Sequence, residues 1–323
     1  PPGKDILTAS ANNYYQGVRL EELKGFEEKY PLNSRLIKRE GKLIEQVWRA
    51  GRKAETGGRP APPGMYAQQL REVCKHLRAA LPFATATQRS TLEHLIDYFE
   101  TGDSDSFDSS NIAWLRDNPR VDLILGFIES YKDARGVKGE WEGILSIVDE
   151  QATRLMTAIA DNAQYFEDQS PWDPQFKKRG VKVPVAKAIQ VIVGHGGSGP
   201  GLPAGVNLPN SQLIRERYGS KSFLLTNVMR AIDNAMSGLT SQEFALEDER
   251  QAGKKYGALI SDIEVALHEI VGHGSGKLSE KLQGKDPAVY LKEYSNALEE
   301  CRAELVMLHH IWDPRMREIE PRC

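Results

Sequence analysis

The sequence has little cysteine, no long apolar run and no excess of either charge. Cys74, Cys301 and Cys323 are its only cysteines. They are too few for a disulfide-stapled framework and fit a reducing compartment, so a cytoplasmic location is expected. No stretch approaches the ~20 apolar residues that span a bilayer; the longest, around Val121–Ile128, contains Asp122. No cleavable leader pattern opens the chain. Forty-two basic and 45 acidic side chains leave a formal charge of −3, without the global basic footprint of a nucleic-acid-binding protein. Neither membrane nor nucleic acid is therefore an expected partner. The chain opens on Pro1 and has no methionine before Met65, so it is read as a processed or partial product.

What is present is globular. The 323 residues are 40% hydrophobic and 27% charged, enough for two domains or one large one. Apolar residues recur at helical steps in Leu20–Tyr30, Leu36–Val47, Met65–Leu81, Thr87–Phe99, Glu150–Phe166 and from Ser211 to the end. Val121–Ser130, Gly143–Val148 and Val185–Val193 are rich in Ile, Leu and Val and are read as strands. Gly51–Gly64 and Gly194–Asn210 are read as loops, and the Ser- and Asp-rich Asp103–Asn111 as a turn before a short helix ending at Leu115. The strands cluster before Asn207, which makes the class α+β with a more helical second half.

The sharpest chemical signal is Val265–Leu278, VALHEIVGHGSGKL. Zinc hydrolases place His-Glu-x-x-His on a helix because residues i and i+4 share a face, while the glutamate acts as base. Here His268 and His273 are five apart, which on an ideal α-helix turns the imidazoles from one another by roughly 140°. A π-type widening of the turn restores convergence, and such bulges are frequent at functional sites. Gly272, just inside the second histidine, removes side-chain bulk where that distortion falls.

A zinc site needs a third protein ligand and leaves one position for water. Glu299–Glu304, EECRAE, lies on an expected helix over Ala288–His310. Glu300 and Glu304 are one turn apart on one face. One of them could bind metal while the other accepts the free N–H of a ligand histidine. Gly194-His195-Gly196-Gly197-Ser198-Gly199 satisfies a dinucleotide-binding pattern after a strand, but Pro200 and Pro203 stand where that pattern requires a helix.

His268-Glu269-Ile270-Val271-Gly272-His273 followed by EECRAE resembles the dipeptidyl-peptidase III family of zinc exopeptidases. Gly126–Asp133 (GFIESYKD) with Gly139–Gly143 (GEWEG), and Pro203–Asn210 (PAGVNLPN), resemble two further segments of that family in the same order. The resemblance implies a two-lobed α+β metallopeptidase with a cleft between the lobes. Residues 1–149 and 188–237 would form a mixed substrate-binding lobe with a β-core, and 150–187 and 238–323 a mostly helical zinc-bearing lobe. It implies one Zn²⁺ held by His268, His273 and Glu300, with Glu304 and Glu299 behind the histidines. Glu269 would be the general base and Tyr131 would donate a hydrogen bond to the developing oxyanion. Glu129, Asn207 and Asn210 would hold the free α-ammonium end of an oligopeptide substrate, and the backbone near Ala204 would pair with it as an added strand. The implied activity is release of dipeptides from peptide N-termini. The family's further histidine, well beyond the acidic segment, has no counterpart before Cys323. Two other readings use the same residues, a peptidase-fold protein acting on a non-peptide molecule and a non-catalytic peptide-binding scaffold. Retention of His268, Glu269, His273 and Glu300 argues against the scaffold.

Overall fold

The computed structural model describes residues 3–11, 13–54, 59–181, 185–197, 203–282, 287–291 and 294–319. The chain divides into two compact units. One comprises Pro1–Pro119, Leu123–Ile144 and His195–Pro200, the other Arg120–Asp122, Leu145–Gly194 and Gly201–Cys323.

The first unit opens with α1 (Ile6–Ala9) and a small sheet of β1 (Tyr15–Gln16), β2 (Ser34–Arg39) and β3 (Lys42–Val47). Leu36–Val47 is thus not the helix its spacing suggests. Glu40 and Gly41 both take positive φ, 51° and 75°, and a two-residue turn of that kind closes a hairpin whose twist matches its strands. Leu20–Tyr30 holds only a short 3₁₀ turn, Leu20–Leu23. Three helices follow, α2 (Ala67–Ala80), α3 (Ala86–Thr101) and α4 (Ser104–Arg116). α2 buries Leu70, Cys74 and Leu77, one stripe at helical spacing. α3 starts on Thr85, whose hydroxyl accepts from Gln88 N, and ends on Gly102 at φ 79°. Asp103, which the sequence reading places in a turn, is the N-cap of α4, its carboxylate accepting from Ser106 N. The Ser/Asp run is therefore helical, because the cap fixes the start one turn earlier than the apolar residues do. The core of this unit joins Trp48, Leu70, Leu77, Leu92, Tyr98, Phe99 and Phe127.

A five-stranded sheet has the hydrogen-bonding order β4–β5–β6–β8–β7, from β4 (Val121–Phe127), β5 (Trp141–Val148), β6 (Val185–Gly196), β7 (Gly205–Leu208) and β8 (Lys221–Leu225). β6 runs straight through Gly194-His195-Gly196, so the first glycines of the dinucleotide-like pattern lie in a strand rather than a tight turn. β7 and β8 fall where the sequence reading has a loop and helix. β8 is buried at all five positions, so it lacks the period-2 alternation that betrays a half-exposed strand.

The second unit is mainly helical: α5 (Glu150–Asp161), α6 (Ala163–Gln169), α7 (Gln212–Tyr218), α8 (Thr226–Phe244), α9 (Glu247–Ala266), α10 (Pro287–Leu291), α11 (Ser295–His310) and α12 (Pro314–Ile319). Asp149 caps α5 by accepting from Ala152 N, and Ala152, Leu155, Met156, Ile159 and Ala160 then form its buried stripe. Those residues meet Phe166, Ala188, Leu224, Leu267, Ile270, Val271, Val306 and Met307 in one core. Residues 188–194 and 201–237 belong to this unit. Among the described residues no helix is long and apolar enough to cross a membrane. The architecture is α+β, with the strands gathered in two sheets and the helices concentrated in the second half of the chain.

Candidate metal centre

α9 does not stop at Ala266 but continues as a π-helical turn, Leu267–Gly272, closed by His273 N donating to His268 O at 3.0 Å. The wider turn separates two faces. Leu267, Ile270 and Val271 are buried in the core, and their burial holds the turn in place. His268, Glu269 and His273 stand together, each offering one ligand atom within 4.8 Å of the others. The two imidazoles are 4.9 Å apart between centroids and nearly perpendicular, at 88°.

α11 supplies the acidic side. A Cβ on Gly272 would lie 2.7 Å from Ala303 O and 2.9 Å from Ala303 Cα, so only glycine lets the α11 backbone come this close. Ala303, Val306 and Met307 are buried, and Glu299, Glu300 and Glu304 stand exposed beside them. Glu300 Oε2 lies 3.3 Å from His268 Nε2 and 3.7 Å from His273 Nε2. The outer nitrogens are also engaged: His268 Nδ1 is 3.1 Å from Glu304 Oε2 and His273 Nδ1 is 2.9 Å from Glu299 Oε1. Carboxylates on both Nδ1 atoms favour the tautomer with Nδ1–H, which frees both Nε2 lone pairs toward Glu300.

Zinc–ligand bonds of about 2.0–2.2 Å in a tetrahedron place neighbouring donor atoms about 3.3–3.5 Å apart. The Nε2–Oε2 separations of 3.3 and 3.7 Å lie at that edge and slightly beyond it, and the donor set of two imidazoles and a carboxylate suits zinc. These three residues could hold the ion. Glu300 is 60% exposed along its side chain, so the centre has a solvent-facing side, as a catalytic zinc with an open position requires.

Electrostatics are consistent with this division of labour. Burial pushes the Glu269 carboxyl above the usual range, against the pull of His273 and His268. Burial would also raise Glu299, but hydrogen bonds from His273 and Arg302 outweigh it and bring its pKa down to about 2. His273 is raised: burial alone would lower it, and its hydrogen bond to Glu299 with the nearby charge of Glu269 overcomes that.

The edge strand β7 lies beside the π-turn. A Cβ on Gly205 would sit 2.9 Å from Glu269 Oε1. β7 pairs with β8 antiparallel, Gly205 opposite Leu224 and Asn207 opposite Ser222. Leu225 N donates to Ala204 O at 3.0 Å, and Asn207 Nδ2 donates to Ser222 Oγ at 2.7 Å. Asn210 is exposed just beyond the strand. Arg215 of α7, which the sequence reading did not single out, donates to Pro209 O at 2.6 Å and Asn207 O at 2.9 Å. It holds the residues between the two asparagines, and nothing in its sequence context marks it.

Glu129 and Tyr131 lie in the first unit, on the segment between β4 and β5. Ile128 N donates to Glu140 O and Glu140 N to Glu129 O, and Tyr131 is 73% exposed. The Asp133 carboxylate gathers this segment, accepting from Val137 N at 2.8 Å, Lys138 N at 2.9 Å and Tyr15 OH at 2.9 Å.

Comparisons with known proteins place the chain in a family. The chain is 34% identical over 217 residues to a dipeptidyl peptidase 3 of Dictyostelium discoideum, covering 67% of this chain and 30% of that protein. It is 32% identical over 274 residues to a dipeptidyl peptidase 3 of Nematostella vectensis, covering 76% of this chain and 37% of that protein. It thus spans about a third of the length of these relatives. The solved structure of DPP III from Caldithrix abyssi superposes with a TM-score of 0.77 at 19% identity, over 96% of this chain and 58% of that one. Residues 60–287 match the family described as peptidase family M49, a stretch that holds the π-turn, both histidines and β7, and the chain therefore belongs to peptidase family M49.

Proposed function

We propose that the chain carries the zinc centre of an exopeptidase that releases dipeptides from the N-termini of oligopeptides. The observation that carries this reading is the convergence of His268 Nε2 and His273 Nε2 on one oxygen of Glu300, at 3.3 and 3.7 Å, with both Nδ1 atoms held by carboxylates. A zinc ion bound there supplies Lewis acidity toward water and the scissile carbonyl.

The protein's own residues supply the rest. Glu269, already raised by burial, takes the proton of the attacking water and passes it to the leaving amine. Tyr131 donates a hydrogen bond to the oxyanion as it develops. The edge strand around Ala204 offers its backbone to an extended peptide, because a sheet edge pairs with any chain of matching direction. Glu129, Asn207 and Asn210 receive the α-ammonium group, a carboxylate and two amide oxygens suiting a cation. Fixing that end at a set distance from the metal selects the second peptide bond. The dipeptidyl peptidase 3 names of the relatives support the same substrate class.

The test is metal content together with hydrolysis of dipeptidyl-naphthylamides by the chain and its Glu269→Ala variant. One zinc per chain with hydrolysis that disappears in the variant supports the proposal. Zinc without hydrolysis of any peptide substrate points to a scaffold or a non-peptide substrate, and a chain that takes up no zinc overturns the reading.

A further inference from the structure

The residues that follow His273 have no helix to hold them, yet each of the next three is fixed by a charged side chain from another part of the second unit. Lys178 Nζ donates to Gly274 O at 2.6 Å. Arg302 donates to Ser275 O and to Ser275 Oγ, both at 3.2 Å. Glu167, whose residue is only 1% exposed, accepts from Gly276 N at 2.9 Å through one oxygen and from Lys178 N at 2.6 Å through the other. Lys277 N closes the seam on Phe176 O at 2.8 Å. Gly274 itself cannot carry a side chain, because a Cβ there would meet Ile270 O at 2.0 Å.

Arg302 does two things at once. While NH1 holds Ser275, Nε donates to Glu299 Oε2 at 2.9 Å and NH2 to the other oxygen of Glu299, the carboxylate that engages His273 Nδ1. The contacts therefore close a ring: His273 to Glu299, Glu299 to Arg302, Arg302 to Ser275, and back along the backbone through Gly274. A π-turn at a helix end is a short, poorly reinforced element. An imidazole on its last residue keeps its direction only if both the ring nitrogen and the following backbone are held.

We propose that Glu167, Lys178 and Arg302 act as positioning residues, a clamp on residues 274–276 that aims the His273 imidazole and so sets how tightly the centre binds zinc. The inference rests on the metal reading above and adds to it a layer beyond the residues that touch the ligands. A second layer of this kind typically governs metal affinity by 10–100-fold. None of the three residues was marked by the sequence pattern except Arg302, whose place three residues after Glu299 reads equally well as a solvated ion pair.

The experiment is competition for Zn²⁺ between a chromophoric chelator and the full 323-residue chain, compared with Arg302→Gln, Lys178→Met and, as control, Lys75→Gln, which removes the exposed pair with Glu72 in the first unit. The expected result is zinc binding weakened roughly 10–100-fold in each clamp variant, unchanged in the control, with the melting temperature of the metal-free Arg302→Gln protein within a few degrees of the parent. The Co²⁺-substituted Arg302→Gln protein should also show an altered ligand-field spectrum, which loss of general stability would not produce. Equal affinity and equal spectra in parent and clamp variants overturn the clamp and leave the metal centre standing. Failure of the parent itself to take up zinc overturns both.

Discussion

Gly205 and Glu269 occupy adjoining space: a Cβ on the glycine would stand 2.9 Å from Oε1 of the glutamate and 3.1 Å from its Cγ. The strand proposed to receive substrate and the base proposed to act on it therefore touch through a missing side chain. Gly205→Ala forces either β7 or the Glu269 carboxylate to move. The expected outcome is a fall in kcat of about 10²-fold, the scale for a displacement of about 1 Å in catalytic geometry, with zinc affinity within a factor of about three of the parent. Steady-state kinetics beside a zinc competition assay separates the two; unchanged kcat would show that the pocket yields elsewhere.

Gly272 has the same role toward α11. Its missing Cβ admits Ala303 at 2.7–3.0 Å, and α11 carries Glu299, Glu300 and Glu304. Gly272→Val should cost about 1–3 kcal/mol of stability through overpacking and should also abolish stoichiometric zinc binding, because Glu300 is pushed away from both Nε2 atoms. Urea titration and metal analysis measure these effects. A destabilised variant that still binds one zinc would refute the link.

The first unit holds a buried charge cluster whose disruption should be costly. Lys138 is fully buried and pairs with Glu28, whose other oxygen accepts from Arg135 NH1 at 2.6 Å. Glu28→Gln strands two cations, and removal of one partner from a buried pair costs about 3–5 kcal/mol. Adding Lys138→Met to that variant should recover part of the loss, since one of the two stranded charges, the fully buried one, is gone. Denaturant unfolding of the single and double variants tests this, with no recovery as the contrary result.

His310 predicts an acid limb of stability. It is fully buried, its ring against Phe166 and its Nε2 3.1 Å from Ser170 Oγ. Burial lowers its pKa to about 4, helped by His309 and opposed by Asp313. The unfolded chain takes up this proton near the usual 6.5, so between pH 6.5 and 4 the unfolded state binds more protons than the folded one. Stability is then full above about 6.5 and falls as pH drops toward 4, by about 2–4 kcal/mol from this group. His310→Gln should flatten that limb relative to the parent in urea titrations at stepped pH; parallel profiles would assign the limb to other groups.

Much of this could be read from residue order. The stripe of α2, the start of α5 at Glu150 and the strands β4 and β5 follow from short-range rules, because periodic apolar positions and β-branched runs act within a few residues. The five-residue histidine spacing already demanded a widened turn if one ion was to be shared. By contrast, the hairpin of β2 and β3 was hidden because Leu36, Ile37, Leu43 and Ile44 also satisfy a helical repeat, and only the positive φ of Glu40 and Gly41 breaks it. β8 was hidden because a strand buried on both faces has no alternation to show.

The sequence by itself determined which donor atoms exist, how far apart along the chain they lie, and which family their order belongs to. Tertiary structure alone decided that Glu300 faces both Nε2 atoms, that Glu304 and Glu299 take one histidine each, and that Gly205 lies against Glu269. Those relations join elements far apart in the chain. They depend on how closely backbones can approach at Gly205 and Gly272, a property of packed surfaces that no local pattern encodes.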